Sequence, residues 1–537
     1  STRVRSSAAS DVYKRQGLMF GESSYYFPIF LGLLSIVVFV WGASSLASYF
    51  YRRAEKAAPQ ISLLSRVAVL VAGAICIGLC LFGIRGRMGY NPIKVSQAYY
   101  CEDPFLNQLG VNPVFNLLTS TLDDNRKENR TLHLMSEEDA LSKVQKYLHR
   151  QGIDRLSPIA RKVEREGTPN RRNVVLVFME SMSANLMGTF GSDKKLTPYL
   201  DSLYQQSLSF SHFYSSGIHT NHGIYSTLYS FPAIMKRNAM KGSVIPVYSG
   251  LPTVLQENGY CNLFFMTHES QYDNMNAFLR TNGFDEIYAQ ENYPSEKVVN
   301  SFGVQDDFMY QYALPILNER AGTGNPFFSV LLSISNHPPY VIPPYFHPHS
   351  DVLEEQIVEY ADWSIRQFMQ AAEKQPWFDN TIFVFLGDHG KMVGTPECEM
   401  PQSYNHIPLM IYGKDIKPGV YDGFGGQVDV SPTLLGLLNI SYLQNNFGVN
   451  LLEEERPCMF FTADNLIGAR DSVNMFIYSP DSQQEFKYKL EEGKLHAATG
   501  TDEEAFRNLK DYCFSMLQST ESLVKEHKTL DKVSVKK

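Results

Sequence analysis

Residues able to bind a metal or carry a proton recur directly after apolar runs in the middle of this 537-residue chain. Glu180 follows NVVLVFM (173–179), and His268 follows the run ending at Met266. Asn336 and His337 follow PFFSVLLSI (326–334), and Asp388 and His389 follow TIFVFL (381–386) inside the tetrapeptide GDHG. Turns prefer Gly, Asn, Asp, Ser and Pro over His and Glu, so acid and imidazole groups after four such runs read as a site rather than as turn chemistry. Glu180, Asp388 and His389 supply two carboxylates and one imidazole, a donor set for one divalent metal: Mn²⁺ or Zn²⁺ and, less well, Mg²⁺. Gly387 and Gly390 let the backbone turn tightly around such an ion, although GDHG alone also fits an ordinary polar turn.

The segment SSGIHTNHGIYSTLYSF (215–231) starts polar and becomes helical, which puts Thr220 at or just before a helix N-terminus. Free backbone N–H groups and the helix dipole favour an anion there. A hydroxyl bound to a divalent metal at that point is readily deprotonated, a standard way of activating a weak nucleophile. Alone, Thr220 reads as a simple N-cap; beside Glu180 and the Asp-His pair, the nucleophile reading prevails.

The elements that must position these groups are strands at 173–179, 262–266, 326–334, 381–386 and 408–412, with a helix at 197–207 carrying Pro198 in its first turn. Continuous apolar strands separated by helices predict an α/β fold with a mostly parallel sheet covered on both faces. Such sheets bind ligands beyond the carboxyl ends of their strands.

The motifs NVVLVFMES, the Thr220 segment, SNHPPY and FLGDHG stand in the order found in lipoteichoic acid synthases and related phosphoglycerol transferases. From Asn173 to about Leu438 the chain resembles this family, in the sulfatase-like branch of the alkaline phosphatase superfamily. The resemblance implies that Glu180, Thr220, Asp388 and His389 ligate a single metal, commonly Mn²⁺. It implies that Thr220 takes up glycerol phosphate from phosphatidylglycerol and releases diacylglycerol. It also places His268 and His337 near the substrate phosphate. The family's acidic residue, tryptophan and arginine that hold the headgroup fall here on Ser270, Met275 and Ala277. Arg280, one helical turn beyond Ala277, is the expected substitute.

The resulting expectation is a transferase that passes a phosphoglycerol-type headgroup from a membrane phospholipid, through a phospho-threonine, to a glycan or lipid acceptor of the cell envelope. A phosphoethanolamine transferase uses the same threonine and metal logic, usually with Zn²⁺ and several disulfides. A sulfatase needs Cys or Ser in a C/S-x-P-x-R context, which Thr220-Asn221-His222-Gly223-Ile224 lacks. A soluble phosphodiesterase would not need membrane spans, and an inactive envelope binding module would not need the complete set of Glu180, Thr220, Asp388 and His389. The net charge of −8 argues against nucleic acid as the main partner. Oligomeric state is not legible in the sequence.

Ahead of the enzyme, Phe27–Phe50 and Val67–Ile84 are uncharged runs of spanning length. Arg52, Arg53, Lys56 and Arg66 between them mark that loop as cytoplasmic. The expectation is a multi-pass protein of a bacterial-type cytoplasmic membrane, its catalytic part outside the cytoplasm. Residues 1–16 resemble translated adapter sequence of the kind found at gene-fragment ends and are set aside as a non-native leader; on that reading the natural chain begins further upstream, with more membrane helices. The expected plan is two transmembrane helices within 17–85, a helical linker over 86–172 that stands the enzyme off the bilayer, a catalytic domain over 173–440, and its C-terminal part with a tail helix over 441–537. Within the linker, 112–122 reads as a helix near the membrane and 136–151 as an amphipathic helix capped by Ser136. In the tail, 486–495 reads as a hairpin and 502–525 as a helix. The seven cysteines show no metal-type spacing and leave one or two disulfides or isolated buried thiols equally open.

Overall fold

The computed structural model describes residues 26–57, 62–88, 92–101 and 104–531, apart from 125, 127–128, 130, 154–155, 243–244, 492 and 499–502. The expected leader, residues 1–16, lies outside the described residues. The chain divides into two compact units, one of residues 1–94, 103–109 and 534–537, the other of residues 95–102 and 110–533.

The first unit contains helices α1 (Tyr26–Ala57) and α2 (Leu63–Arg85). Ser62 caps α2 by accepting the Ser65 N–H at 3.2 Å, and Gly86 ends it at φ 79°, where a residue without a Cβ is favoured. Among the described residues α2 is the one helix long and apolar enough to cross a membrane. Its 23 residues extend about 34 Å, enough for the hydrocarbon core. The two-span expectation is not supported. The other expected span is helical, but most of its side chains before Val37 lie outside the described residues, and Arg52, Arg53, Glu55 and Lys56 crowd its end.

The second unit begins its helices with α3 (Pro113–Asp124) and α4 (Glu137–Tyr147). Its strands are β1 (Asn173–Met179), β2 (Leu208–Tyr214), β3 (Cys261–Met266), β4 (Glu286–Tyr288), β5 (Phe327–Leu332), β6 (Thr381–Gly387), β7 (Leu409–Tyr412) and β8 (Gly419–Gly426). They form one eight-stranded sheet in the order β8-β2-β7-β6-β1-β5-β3-β4. Only β7 runs antiparallel to its neighbours β6 and β2; the remaining pairs are parallel. The mostly parallel sheet is as expected. β2, β4 and β8 were not legible in the sequence: Ser209, Ser211 and His212 interrupt the first, the second has only three residues, and four glycines break the third.

Alternation along the strands splits the core in two. Val174, Leu176 and Phe178 of β1 face helix α6 (Thr220–Tyr229) through Ile224 and Leu228. Val175, Val177 and Met179 face helices α5 (Pro198–Gln206), α8 (Asp306–Ala321) and α9 (Leu353–Ala372) through Leu203, Met309 and Val358. Helix α7 (Met275–Thr281) lies in the first layer with Met275 and Ala277 fully buried. A five-stranded antiparallel sheet, β9 (Met459–Thr462), β10 (Ile467–Arg470), β11 (Asn474–Ser479), β12 (Gln484–Glu491) and β13 (Lys494–Ala497), follows, and then helix α10 (Glu503–Lys525).

Part of the expected stand-off linker belongs to this core. Ser136 caps α4 as read from the sequence, accepting the Asp139 N–H at 3.2 Å. Val144 and Leu148 are buried in the same layer as Leu509 and Tyr512 of α10. Leu132 and Leu134 donate their backbone N–H groups to Glu521 and Gln518 of α10 at 3.0 and 2.9 Å. The tail beyond α10 also packs: Asp531 accepts from Ser249 at 2.7 Å. No disulfide joins the described cysteines.

Candidate functional site

The carboxyl ends of β1 and β6 are adjacent, with Met179 opposite Gly387. This pairing brings Glu180 and Asp388 side by side, and His389 closes the group. Potential ligand atoms of Glu180, Asp388 and His389 all lie within 4.8 Å of one another. His389 Nε2 stands 3.5 Å from Asp388 Oδ2 and 3.8 Å from Glu180 Oε1. Asp388 Oδ1 accepts the backbone N–H groups of Ser181 and His389, both at 2.8 Å. Ser181 takes a left-handed conformation (φ 51°) and donates its hydroxyl to Glu180 Oε1 at 2.7 Å.

Thr220 is the first residue of α6, with His219 in the cap position and no side-chain cap bond. The N-cap reading therefore fails for Thr220. Its hydroxyl instead faces Glu180 Oε2 at 3.5 Å. Close packing enforces this: a Cβ at Gly223 would lie 2.2 Å from the Asp388 carbonyl oxygen, so glycine allows α6 to abut the GDHG turn. Gln427, fully buried, ties the GDHG turn to the segment before α6, donating to the Gly387 and Asp388 carbonyls at 3.1 and 2.7 Å and accepting the Ser216 N–H at 3.0 Å.

Three histidines share one device. His389, His268 and His337 each place Nδ1 against the following backbone carbonyl, Gly390, Glu269 and Pro338, at 2.8, 3.0 and 2.7 Å. A carbonyl only accepts, so Nδ1 carries the hydrogen and Nε2 is left for a ligand or proton. Burial lowers the pKa of both His268 and His337; the Glu269 and Pro338 carbonyls partly restore it. The His337 ring lies 4.1 Å from that of Phe302, and the His268 ring 4.9 Å from that of Tyr272.

The residues fit a divalent cation. Glu180 and Asp388 are buried, and Asp388 Oδ2 has no hydrogen-bond partner. Burial first, and the Asp388 charge second, push the Glu180 carboxyl well above the usual range. Two buried carboxylates facing one lone pair of imidazole nitrogen are short of positive charge. With Thr220 they form a hard, mostly oxygen donor set, to which a dication restores balance.

Sequence reasoning missed Lys391 and Gln427. Lys391 donates to Asn336 Oδ1 at 2.7 Å, and Asn336 in turn donates to the Glu180 carbonyl at 3.0 Å. Burial lowers the Lys391 pKa to about 8. Its place two residues after His389 was the available signal; Gln427 had none. Met275 and Ala277 point into the core and cannot touch a headgroup. Arg280 donates to Asn276 Oδ1 at 2.9 Å, so its partner lies outside the cluster. The part expected of Arg280 finds no support in these contacts.

A mostly parallel α/β sheet with this constellation at its carboxyl edge defines an enzyme of the alkaline phosphatase superfamily. The sulfatase family profile matches residues 172–440, and the chain belongs to that family. It is similar to the lipoteichoic acid synthase-like YvgJ of Bacillus subtilis, 25% identical over 362 residues that cover 61% of this chain and 56% of that protein. It is also similar to lipoteichoic acid synthase of Staphylococcus aureus, 24% identical over 400 residues, 66% of this chain and 58% of that one. The chain thus spans little more than half the length of these curated relatives. Among solved structures, a Vibrio parahaemolyticus protein of the alkaline phosphatase superfamily superposes with TM-score 0.67 at 26% identity, over 74% of this chain and 97% of that one. The lipoteichoic acid synthase LtaP of Listeria monocytogenes does so with TM-score 0.58 at 22% identity, over 72% and 98%.

Proposed function

We propose that this chain is a metal-dependent transferase that moves a phosphoglycerol-type headgroup from a membrane phospholipid, through a phosphoester on Thr220, to an acceptor hydroxyl of the cell envelope. The observation that carries the reading is Thr220 Oγ1 at 3.5 Å from Glu180 Oε2, at the start of α6 and beside the Glu180–Asp388–His389 cluster. The names of the curated relatives, lipoteichoic acid synthases, favour the same substrate class.

Glu180, Thr220, Asp388 and His389 would hold the cation, with Mn²⁺ first and Zn²⁺ or Mg²⁺ as alternatives. When bound, it supplies Lewis acidity that favours the Thr220 alkoxide and offsets phosphoryl charge. Thr220 Oγ then attacks phosphorus and the bond to the diacylglycerol oxygen breaks. The free N–H groups at the start of α6 face the phosphoryl oxygens. His268 and His337, each with Nδ1–H fixed, hold or give a proton at Nε2. Burial keeps both neutral in the free site, and an arriving phosphate anion favours their protonated form, which can donate to the leaving alkoxide. In the second step an acceptor hydroxyl attacks the same phosphorus and Thr220 leaves.

Reconstituted protein with Mn²⁺, offered labelled phosphatidylglycerol and phosphatidylethanolamine separately, tests this. Diacylglycerol released from phosphatidylglycerol, and absent with Thr220→Ala, is the expected result. Release from phosphatidylethanolamine alone moves the assignment to a phosphoethanolamine transferase. Release from neither, with metal bound, defeats the lipid-donor reading.

A further inference from the structure

The positions at which the family resemblance puts the headgroup contacts are taken up otherwise in this chain. Met275 and Ala277 are buried, and Ser270 donates its N–H and its hydroxyl to Glu291 at 3.1 and 3.0 Å. A different acid stands beside the nucleophile. Asp273 Oδ2 accepts from Asn221 Nδ2 at 3.1 Å, and Asn221 directly follows Thr220 in α6. Asp273 Oδ1 meets Lys241 Nζ at 3.2 Å, and the Asp273 side chain is 21% exposed, open enough for a small group to reach. The backbone bends sharply to put it there: Asp273 and Asn274 are both left-handed, at φ 49° and 67°. Asp and Asn enter that region more readily than other residues with a Cβ, but usually singly. Asn274 anchors the turn by donating to the Met240 carbonyl at 2.9 Å, next to Lys241. Tyr272, one residue earlier, lies with its ring 4.9 Å from that of His268, whose Nε2 is buried and without a partner. Burial, then the Asp273 and Glu180 charges, raise the Tyr272 pKa to about 12, so the tyrosine stands within electrostatic reach of both carboxylates.

We propose that Asp273 selects the headgroup: its carboxylate accepts hydrogen bonds from the hydroxyls of a neutral diol esterified to the reacting phosphate, and Lys241 keeps an ammonium group out of the same place. The proposal rests on the phosphoglycerol reading above and adds the residue that would select for it. A carboxylate only accepts, and its two oxygens match a pair of adjacent hydroxyls as they match any two parallel donors. Alone, such an acid would attract an ammonium headgroup more strongly than a diol. The ion pair with Lys241 changes that balance, because an ammonium seated on Asp273 would stand beside Nζ, like charge against like. The Asn221 bond fixes the carboxylate relative to the start of α6, so a headgroup held by Asp273 has its phosphorus carried toward Thr220 Oγ1. Asp273 is thus a specificity and positioning residue, and it takes no part in the bond-making step.

Calorimetric titration of the Mn²⁺-loaded full chain with sn-glycerol 3-phosphate, methyl phosphate and phosphoethanolamine tests this. Methyl phosphate lacks the diol, and phosphoethanolamine carries an ammonium in its place, so ratios of affinity cancel the contribution of the phosphate itself. Wild type is expected to hold glycerol phosphate about tenfold or more tighter than methyl phosphate, and Asp273→Asn to bring that ratio close to one. Asparagine matches the size of the side chain and tolerates the left-handed turn, so the variant keeps the local fold. Lys241→Met is expected to raise the affinity for phosphoethanolamine relative to glycerol phosphate several-fold. Asp273→Asn protein that keeps the wild-type ratio overturns the inference and leaves the phosphoglycerol reading standing. Wild type that binds glycerol phosphate and methyl phosphate alike overturns both. Lys241→Met with an unchanged phosphoethanolamine ratio overturns the part given to the lysine.

Discussion

Two buried acid clusters in the second unit make an instructive pair. At the first, Asp429 meets Arg456, both nearly inaccessible, at 2.7 Å to Nε and 2.6 Å to Nη2. The same carboxylate accepts the N–H groups of Gly426 and Val449 at 3.0 and 2.9 Å. Burial works against the Arg456 charge, yet the Asp429 carboxylate holds its pKa above the ordinary value. At the second cluster, Glu180 and Asp388 face one another with an orphaned Oδ2, a strained Ser181 and, among the described residues, no arginine or lysine bonded to either. The chain neutralises the first from within and leaves the second for something from outside. Self-sufficient charge belongs to the frame, and uncompensated charge belongs to the chemistry.

The sharpest way to press this contrast is at Thr220. Thr220→Ala is expected to cut turnover by on the order of 10⁴-fold or more, as loss of a nucleophile does, while leaving thermal stability nearly intact and weakening metal binding less than loss of the Asp388 carboxylate does; steady-state kinetics with metal titration checks both. Next in size is the frame. Arg456→Met strands Asp429 and is expected to cost about 3–5 kcal/mol of stability, read by denaturant unfolding, with activity per folded molecule unchanged. Asp388→Asn should behave in the opposite sense. It relieves the like-charge contact, so the metal-free protein melts higher than wild type. Metal affinity falls by more than the roughly 10–100-fold typical of losing an outer-sphere partner, and calorimetric titration with Mn²⁺ reads it. A metal-free Asp388→Asn protein that melts lower than wild type would remove the contrast.

The smallest effect concerns Glu521, the acid that joins α10 to the segment before α4. Burial raises its pKa from 4.5 to about 7. An acid whose folded pKa is raised contributes stability that is fully present below pH 4.5 and is lost as pH rises through about 7. Glu521→Gln keeps the acceptor for the Leu132 N–H and removes the titration. It is expected to stabilise the protein by roughly 2 kcal/mol at pH 8 and not at pH 4, measured as melting temperature against pH.

The same contrast explains what the sequence disclosed. Glu180, His268, His337, Asp388 and His389 follow unbroken apolar strands, and a strand buried on both faces announces itself by composition alone. Thr220 was legible because a polar, glycine-containing stretch turning helical marks a helix start. β8 was not, because its four glycines leave no apolar run. Gln427 was not, because a glutamine that bridges two loops gives no local pattern. The fate of the linker also depended on a partner far along the chain: nothing near Val144 says that it will meet α10, some 360 residues later, in one core. Arg280 was expected from its place one helical turn beyond Ala277, and the structure shows it donating to Asn276 Oδ1 at 2.9 Å.

The most direct test of the account is chemical trapping on Thr220. Wild-type protein would be incubated with Mn²⁺ and phosphatidylglycerol, quenched in acid, digested and examined by mass spectrometry. The account predicts a glycerophosphate ester on the peptide containing Thr220, absent when Asp388 is replaced by alanine. Metal-loaded protein that turns over the lipid while every copy of that peptide stays unmodified would contradict it.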